Sequence, residues 1–364
     1  MPTVRIVEQN YPLLATALAT RREKAIALAI AVVTFVAFIA LVPFVRMPLP
    51  PWPAFIPSYE TALFFIDLIT AALLFDQFVR LRALSILVLA SGYLFDSLMI
   101  VPHALSFPGA FSASGLLGAK EQTTAWLYVF WHGGFPLFVI GYALLRGTEA
   151  PGSPKTAFPG RLIVLAGIGV ALLAIVLTLL TTWGHDLLPV VMRGSNYSML
   201  VSKGVSPAVW GLTLLALTVL WRAKQRIVDL WLMVVMWVWL FDIALAAIIG
   251  SSRFDLGFYA GRIFGLIAAS FLLITLLVEM ARLHAGAIRT AAGLEAKLAQ
   301  LARAPQKKEP APMRGETTDL FIQRQNVAHY QSLLESGSLD ENQRHAIEKL
   351  LEEEKAKAKG PDSA

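Results

Sequence analysis

The chain has no cysteine among its 364 residues, which excludes disulfides, thiolate metal sites, iron–sulfur clusters and cysteine nucleophiles together. It is also short of charge. Asp, Glu, Lys and Arg make up 15% of it, against about 25% in soluble domains. Apolar residues take their place: 56% are hydrophobic, and the mean hydropathy is +0.62. That balance puts the chain in the membrane class, with the lipid bilayer as its main partner. The formal charge of +6 then belongs to loops at a membrane surface, and no nucleic-acid partner is read from it.

A helix needs about 20 apolar residues to cross the hydrocarbon core. Eight runs qualify: 25–45, 60–79, 83–103, 124–145, 161–182, 206–221, 229–250 and 258–281. The run 206–221 is the shortest, but without it the loop charges on either side would face opposite ways. The first run follows some twenty mixed residues and is long enough to span, so it reads as a span and not as a cleaved leader. The expected fold class is therefore all-α, a polytopic transmembrane helical bundle of about eight spans.

Lys and Arg set the orientation. Arg21, Arg22, Lys24, Arg80, Arg82, Arg146, Lys155, Arg161, Arg222, Lys224, Arg226, Arg282 and Arg289 fall on one side, and only Arg46, Lys120, Arg193, Lys203 and Arg253 on the other. The richer side reads as cytoplasmic, with both termini inside, in a bacterial inner membrane. Two outer connections stand out. Met47–Pro53 is stiff with proline and cannot be helical. The stretch 102–121 is long and rich in Phe, Pro and Gly, and is expected to pack over the helix ends.

The expected division is 1–24 as a cytoplasmic N-terminal segment, 25–281 as the transmembrane domain and 282–303 as a cytoplasmic extension of the last helix. A Pro-rich linker (304–318), a helical hairpin (319–359) and a tail (360–364) follow. Within the hairpin, Tyr330, Leu333 and Leu334 form one apolar stripe and Ile347, Leu350 and Leu351 another. Asp340 with Gln343 is a capping-box pattern. A hairpin of this size is too small to be a catalytic domain.

Two sets of strings carry a resemblance. The first is Ser91-Gly-Tyr-Leu-Phe95, then Pro102-His-Ala-Leu-Ser-Phe-Pro-Gly-Ala-Phe111, then Trp126-Leu-Tyr-Val-Phe-Trp-His-Gly-Gly-Phe-Pro136. The second is Trp239-Leu-Phe-Asp242, Arg253-Phe-Asp-Leu-Gly-Phe-Tyr-Ala-Gly-Arg262 and Glu279. Together they resemble the MASE4 membrane-associated sensor domain of bacterial signalling proteins, over about residues 20–285. The resemblance implies a sensor. Such proteins usually place a histidine kinase or diguanylate cyclase after the last span. Here no GGDEF string follows, and about 80 residues cannot hold a kinase domain, so the chain is expected to be no enzyme.

Charged groups at membrane depth are costly and are usually paired or functional. Counted from the outer ends of their spans, Asp67, Asp96, His132, Asp242 and Arg262 all lie four to eight residues in, roughly 6–12 Å deep. Asp76 instead sits four residues before Arg80, where a local helix pair is expected. The outer half thus gathers polar groups, whereas the inner half reads as nearly all aliphatic. With His103 and Arg253, the set Asp67, Asp96, His103, His132, Asp242, Arg253 and Arg262 forms the candidate ligand site. The alternative is that these residues fix packing, for example by pairing Asp242 with Arg262. His103 and His132 could approach one another, but two histidines make a weak metal or haem signal, and no cofactor is expected. Gly257, Gly261 and Gly265 recur every four residues, a pattern for close helix packing within the chain or, as the second reading, in a homodimer.

The function expected is sensing in an outward-facing polar pocket, passed through the last helix and residues 319–359 to a separate cytoplasmic kinase or regulator. The alternative is a transporter or channel for a small solute or ion through the same pocket. No internal repeat of the kind transporters carry is visible.

Overall fold

The computed structural model describes residues 18–146, 158–222, 226–250, 252–303, 317–335 and 341–357. Lys155, Lys224, most of the Pro-rich stretch, the Ser-Gly-Ser turn with Asp340, and the tail lie outside them.

Among the described residues the chain is helical and contains no strand. α1 (Arg21–Leu41) begins at Thr20, whose hydroxyl accepts from Glu23 N–H while the Glu23 carboxylate accepts from Thr20 N–H at 2.8 Å. Such a capping box satisfies two donors that the first turn leaves open. α2 (Phe55–Leu81), α3 (Leu84–Ser106), α4 (Thr123–Leu145) and α5 (Pro159–Thr182) follow. α2 stops where Arg82 turns left-handed, with Arg80 bound to Asp76 at 2.9 Å as the spacing predicts. After the short α6 (Met199–Ser202) come α7 (Val205–Trp221), α8 (Ile227–Ile243) with a π-helical continuation at Ala244–Ile249, and α9 (Leu256–Arg303).

Seven of these helices are long and apolar enough to cross a membrane. α7, the expected sixth span, is apolar but has 17 residues, about 26 Å of helix. Its length is at the lower end of the roughly 17–25 residues that cross a hydrocarbon core, so α7 stands apart from the seven longer helices. The chain is a multi-pass helical bundle.

The bundle is a ring. α2 packs on α3, α3 on α4, α4 on α7 and α7 on α8. α9 closes it, meeting α8 through Phe241–Phe264 and Trp231–Phe271, and α2 through the Gln77–Glu279 hydrogen bond of 2.9 Å. α8 is the most enclosed helix, whereas α1, attached to α8, and α5, attached to α3, turn most of their surface outward. Outward apolar faces of this kind suit lipid and need no other explanation.

The glycine stripe is used inside the chain. A Cβ at Gly257 would come within 2.5 Å of Val45 and of the Leu245 carbonyl, and one at Gly261 within 2.9 Å of the Asp242 carbonyl. These glycines let α9 sit against the π-helical end of α8, so the homodimer reading loses the stripe as its surface.

The inner half is not aliphatic. Arg146, Tyr142 and Asp229 form a buried ion pair and hydrogen bond, and the Gln77–Glu279 hydrogen bond is buried between α2 and α9. Arg146 counted as a loop charge in the sequence because it stands one residue past the apolar run.

The chain divides into two compact units, 1–287 and 288–364. In the second, α10 (Thr318–Glu335) packs on α11 (Glu341–Lys357), with Gln323 donating to the Glu354 carbonyl at 2.6 Å. Leu351 is buried, and Tyr330, Leu333, Leu334 and Ile347 are half-buried. Leu350, Leu320 and Ile322 remain exposed.

Candidate functional site

Five helices, α2, α3, α4, α8 and α9, supply the polar residues at this end of the ring. α2 buries Tyr59, Glu60, Leu63, Asp67 and Thr70 on one face, the i, i+3, i+4, i+7 pattern of a single stripe. α3 contributes Asp96 and His103, and α4 contributes Tyr128, Trp131 and His132. Two glycines bring α3 and α4 close. A Cβ at Gly134 would meet the Phe95 ring at 2.4 Å, and one at Gly92 would meet Phe138 at 2.7 Å. Pro136 has no N–H, so the His132 carbonyl loses its usual helical donor. α8 contributes Asp242, two residues before the π-helical stretch begins. Such irregular turns recur at functional sites because they re-aim side chains.

The two histidines do not pair with each other. His103 Nδ1 lies 2.7 Å from Glu60 Oε1, and His132 Nε2 lies 3.2 Å from Asp242 Oδ2. Asp242 therefore pairs with His132 and not, as the sequence suggested, with Arg262. The second nitrogen of His132, Nδ1, is 3.0 Å from the Tyr128 carbonyl. A carbonyl only accepts, so Nδ1 carries a hydrogen. Between Nε2 and Asp242 there must then be a second proton, on either partner, for that contact to be a hydrogen bond. The Tyr128 ring stacks on His132 at 3.7 Å between centroids, separating this pair from the space beyond.

That space is a cleft of about 40 Å³ bordered by His103, Thr124, Tyr128, Met192, Tyr197, Arg253, Phe258 and Arg262. By volume it holds about three waters. Arg262 donates to the Phe258 carbonyl at 2.9 Å and lies over the Phe258 ring at 3.7 Å. Arg253 donates to Thr124 and lies over the Phe107 ring. Burial, with the like charge of Arg262 beside it, pushes the Arg253 guanidinium down to about 10. Burial together with the Asp255 carboxylate pushes the Tyr197 phenol up. Asp255 also caps α9, its Oδ1 accepting from Phe258 N–H at 2.7 Å.

The cover comes from the outer loops. Gln122 accepts from Val191 and Met192 N–H at 2.8 Å and donates to the Met192 carbonyl at 2.7 Å. From the 102–121 stretch, Phe107 is buried between Ile56 and Phe258, as expected of a packed loop, but Phe111, Leu116 and Leu117 are exposed.

The structure thus gathers the seven candidates in layers. His103, Arg253 and Arg262 border the cleft. His132 and Asp242 lie behind Tyr128. Asp67 and Asp96, on adjacent helices and within each other's field, are both buried but do not border the cleft. Glu60, Tyr59, Tyr128 and Tyr197 are missing from the sequence-derived set. Glu60 was detectable, because it stands seven residues before Asp67 on the same helical stripe. Among the described residues, several buried polar atoms here find no hydrogen-bond partner, among them Glu60 Oε2, Tyr128 Oη, Asp242 Oδ1 and Asp96 Oδ1. Among the described residues, no group of three or more His, Asp or Glu could hold a metal ion.

The family model described as MASE4, membrane-associated sensor, integral membrane domain, matches residues 50–284, more than half of the chain. The chain belongs to the MASE4 family. The match covers α2 to α8 and the membrane part of α9, with the whole polar cluster, and leaves α1 outside. No curated protein and no solved structure matches the chain. Membership makes this MASE4 protein an integral membrane protein of sensory class.

Proposed function

We propose that this MASE4 protein detects a small polar ligand at the outer cleft and passes the event along α9 to a separate cytoplasmic partner, without catalysing a reaction itself. The observation that carries the reading is the position of α9. It supplies Arg262 to the cleft and the glycine seat for Asp242, and it continues as one helix to Arg303. A ligand larger than a few waters cannot enter the 40 Å³ cleft without displacing α9 or the loops over it. In this reading the ligand selects a form in which α9 is displaced, so that binding and movement of α9 are linked. Two guanidiniums on the wall favour a ligand with an anionic or strongly accepting group. Both termini lie in the cytoplasm of a bacterial inner membrane in this reading, on the side rich in Lys and Arg.

Asp67→Asn, Asp96→Asn, His132→Ala and Asp242→Asn are expected to abolish signalling while the protein inserts at normal levels. Partner output in cells, with membrane levels followed by immunoblot, checks this. Variants that are either fully active or merely degraded would make the residues scaffold.

The tail is proposed as the docking module, offering the exposed Leu320, Ile322 and Leu350 to a kinase or regulator as a helix-in-groove contact. A chain ending at Arg303 should insert as the full chain does, yet lose its co-purifying partner and its output. A truncated protein that signals normally would place the output within the membrane.

A further inference from the structure

Away from the polar cluster, α1 and α7 both pack on α8. Between them runs a trough of about 840 Å³ with α8 as its floor, within the size range of small-molecule sites. Its walls are apolar, formed by side chains such as Leu28, Phe35, Leu217 and Met233. The floor is fixed to one wall by Trp237, whose indole donates to the Ala31 carbonyl at 3.1 Å. The charged lining residues are Lys24 and Arg222, both basic, both exposed, and both at the end where α1 starts and α7 stops. Trp221, 70% exposed, stands beside Arg222, and an exposed indole at a helix end marks the headgroup level.

From this geometry we infer that the trough binds one anionic phospholipid, its acyl chain along Leu28, Phe35 and Met233 and its phosphate between Lys24 and Arg222. The walls are α1, long and apolar enough to span, and the shorter apolar α7, so the trough lies on an apolar face of the bundle that suits lipid. Charge decides the headgroup: two cations at one end, on an otherwise apolar wall, select an anionic lipid over a zwitterionic one. α1 lies outside the family match, whereas α7 and α8 lie within it. The bound lipid completes the attachment of α1, which buries few of its own residues.

The test uses the full-length chain in nanodiscs of phosphatidylglycerol and phosphatidylethanolamine in equal parts, read by native mass spectrometry. One phosphatidylglycerol should be retained in preference. At about five-fold for each basic group, the double variant Lys24→Gln, Arg222→Gln should lose that preference by about 25-fold. Thr218→Trp, which fills the trough, should remove the adduct without touching the charges. The double variant changes only exposed side chains and is expected to fold. Equal retention of both lipids, a preference unchanged in the double variant, or a dimer with no lipid adduct would each overturn the assignment.

Discussion

Replacing Arg146 with alanine is expected to remove about 3–5 kcal/mol of stability, the usual cost of leaving one member of a buried ion pair alone. Asp229 is fully buried, and the groups that hold it include the Arg146 guanidinium, the Tyr142 hydroxyl and the Arg226 backbone N–H at 2.8 Å. Only the first of these carries a charge to balance the carboxylate. The pair also joins three helices, because Arg146 lies at the end of α4, Asp229 in the first turn of α8, and Arg146 Nη2 reaches the Leu220 carbonyl of α7 at 3.5 Å. An unfolding titration in detergent micelles should show the loss. The double variant Arg146→Met, Asp229→Asn removes both charges yet keeps an acceptor for the Arg226 N–H. It should recover most of the stability, because two neutral partners avoid the desolvation cost of a lone charge. If Arg146→Ala stays within about 1 kcal/mol of the parent, the contact is not a stabilising pair.

This pair also shows where sequence reasoning stopped. The helices themselves were legible, since runs of apolar residues long enough to span can be little else. The expected 83–103 and 161–182 became Leu84–Ser106 and Pro159–Thr182. What hydropathy misplaces is a polar residue at the edge of a run. Arg146 stands one residue past its run and was counted as a loop charge, and Asp229 is the first residue of the expected 229–250, although packing of α4, α7 and α8 buries both. Glu60 suffered likewise. α2 starts at Phe55, and Ser58 and Glu60 lower the hydropathy of that first turn, so the span seemed to begin at Glu60 and its pairing with His103 was invisible.

That these polar residues gather at one end of the bundle was legible, because counting 1.5 Å per residue from the span ends needs no knowledge of neighbours. The pairings were not, because they depend on how each helix is rotated about its axis. Asp242 and Arg262 are at similar depth, yet α9 turns the Arg262 guanidinium back to Phe258 and over its ring. Its glycine face meets Asp242 instead. The chain's own small residues made that choice, and the spacing of Gly257, Gly261 and Gly265 was its one visible sign.

The same glycine face gives the second large effect. Gly261→Ala should destabilise the bundle by about 1–3 kcal/mol and leave the output insensitive to the stimulus. Alanine favours a helix over glycine by about 1 kcal/mol, so an unhindered site would gain. Here the added Cβ would lie 2.8 Å from Ala246 Cβ and 2.9 Å from both the Asp242 carbonyl and Oδ1. The Asp242 carbonyl is backbone and cannot rotate aside as a long side chain would. α9 must therefore move outward, and overpacking of this kind costs more than the propensity returns. That shift moves the seat of Asp242 and with it the 3.2 Å contact to His132, the same displacement proposed for ligand entry. Gly169 is the matched control, being helical and exposed with nothing within 4 Å of its Cβ position. Gly169→Ala should be neutral or stabilising by up to about 1 kcal/mol with normal signalling. Opposite signs for the two substitutions, measured by unfolding titration and by partner output, would tie the packing of α9 against Asp242 to the signal. Equal effects would reduce the glycine stripe to ordinary helix packing.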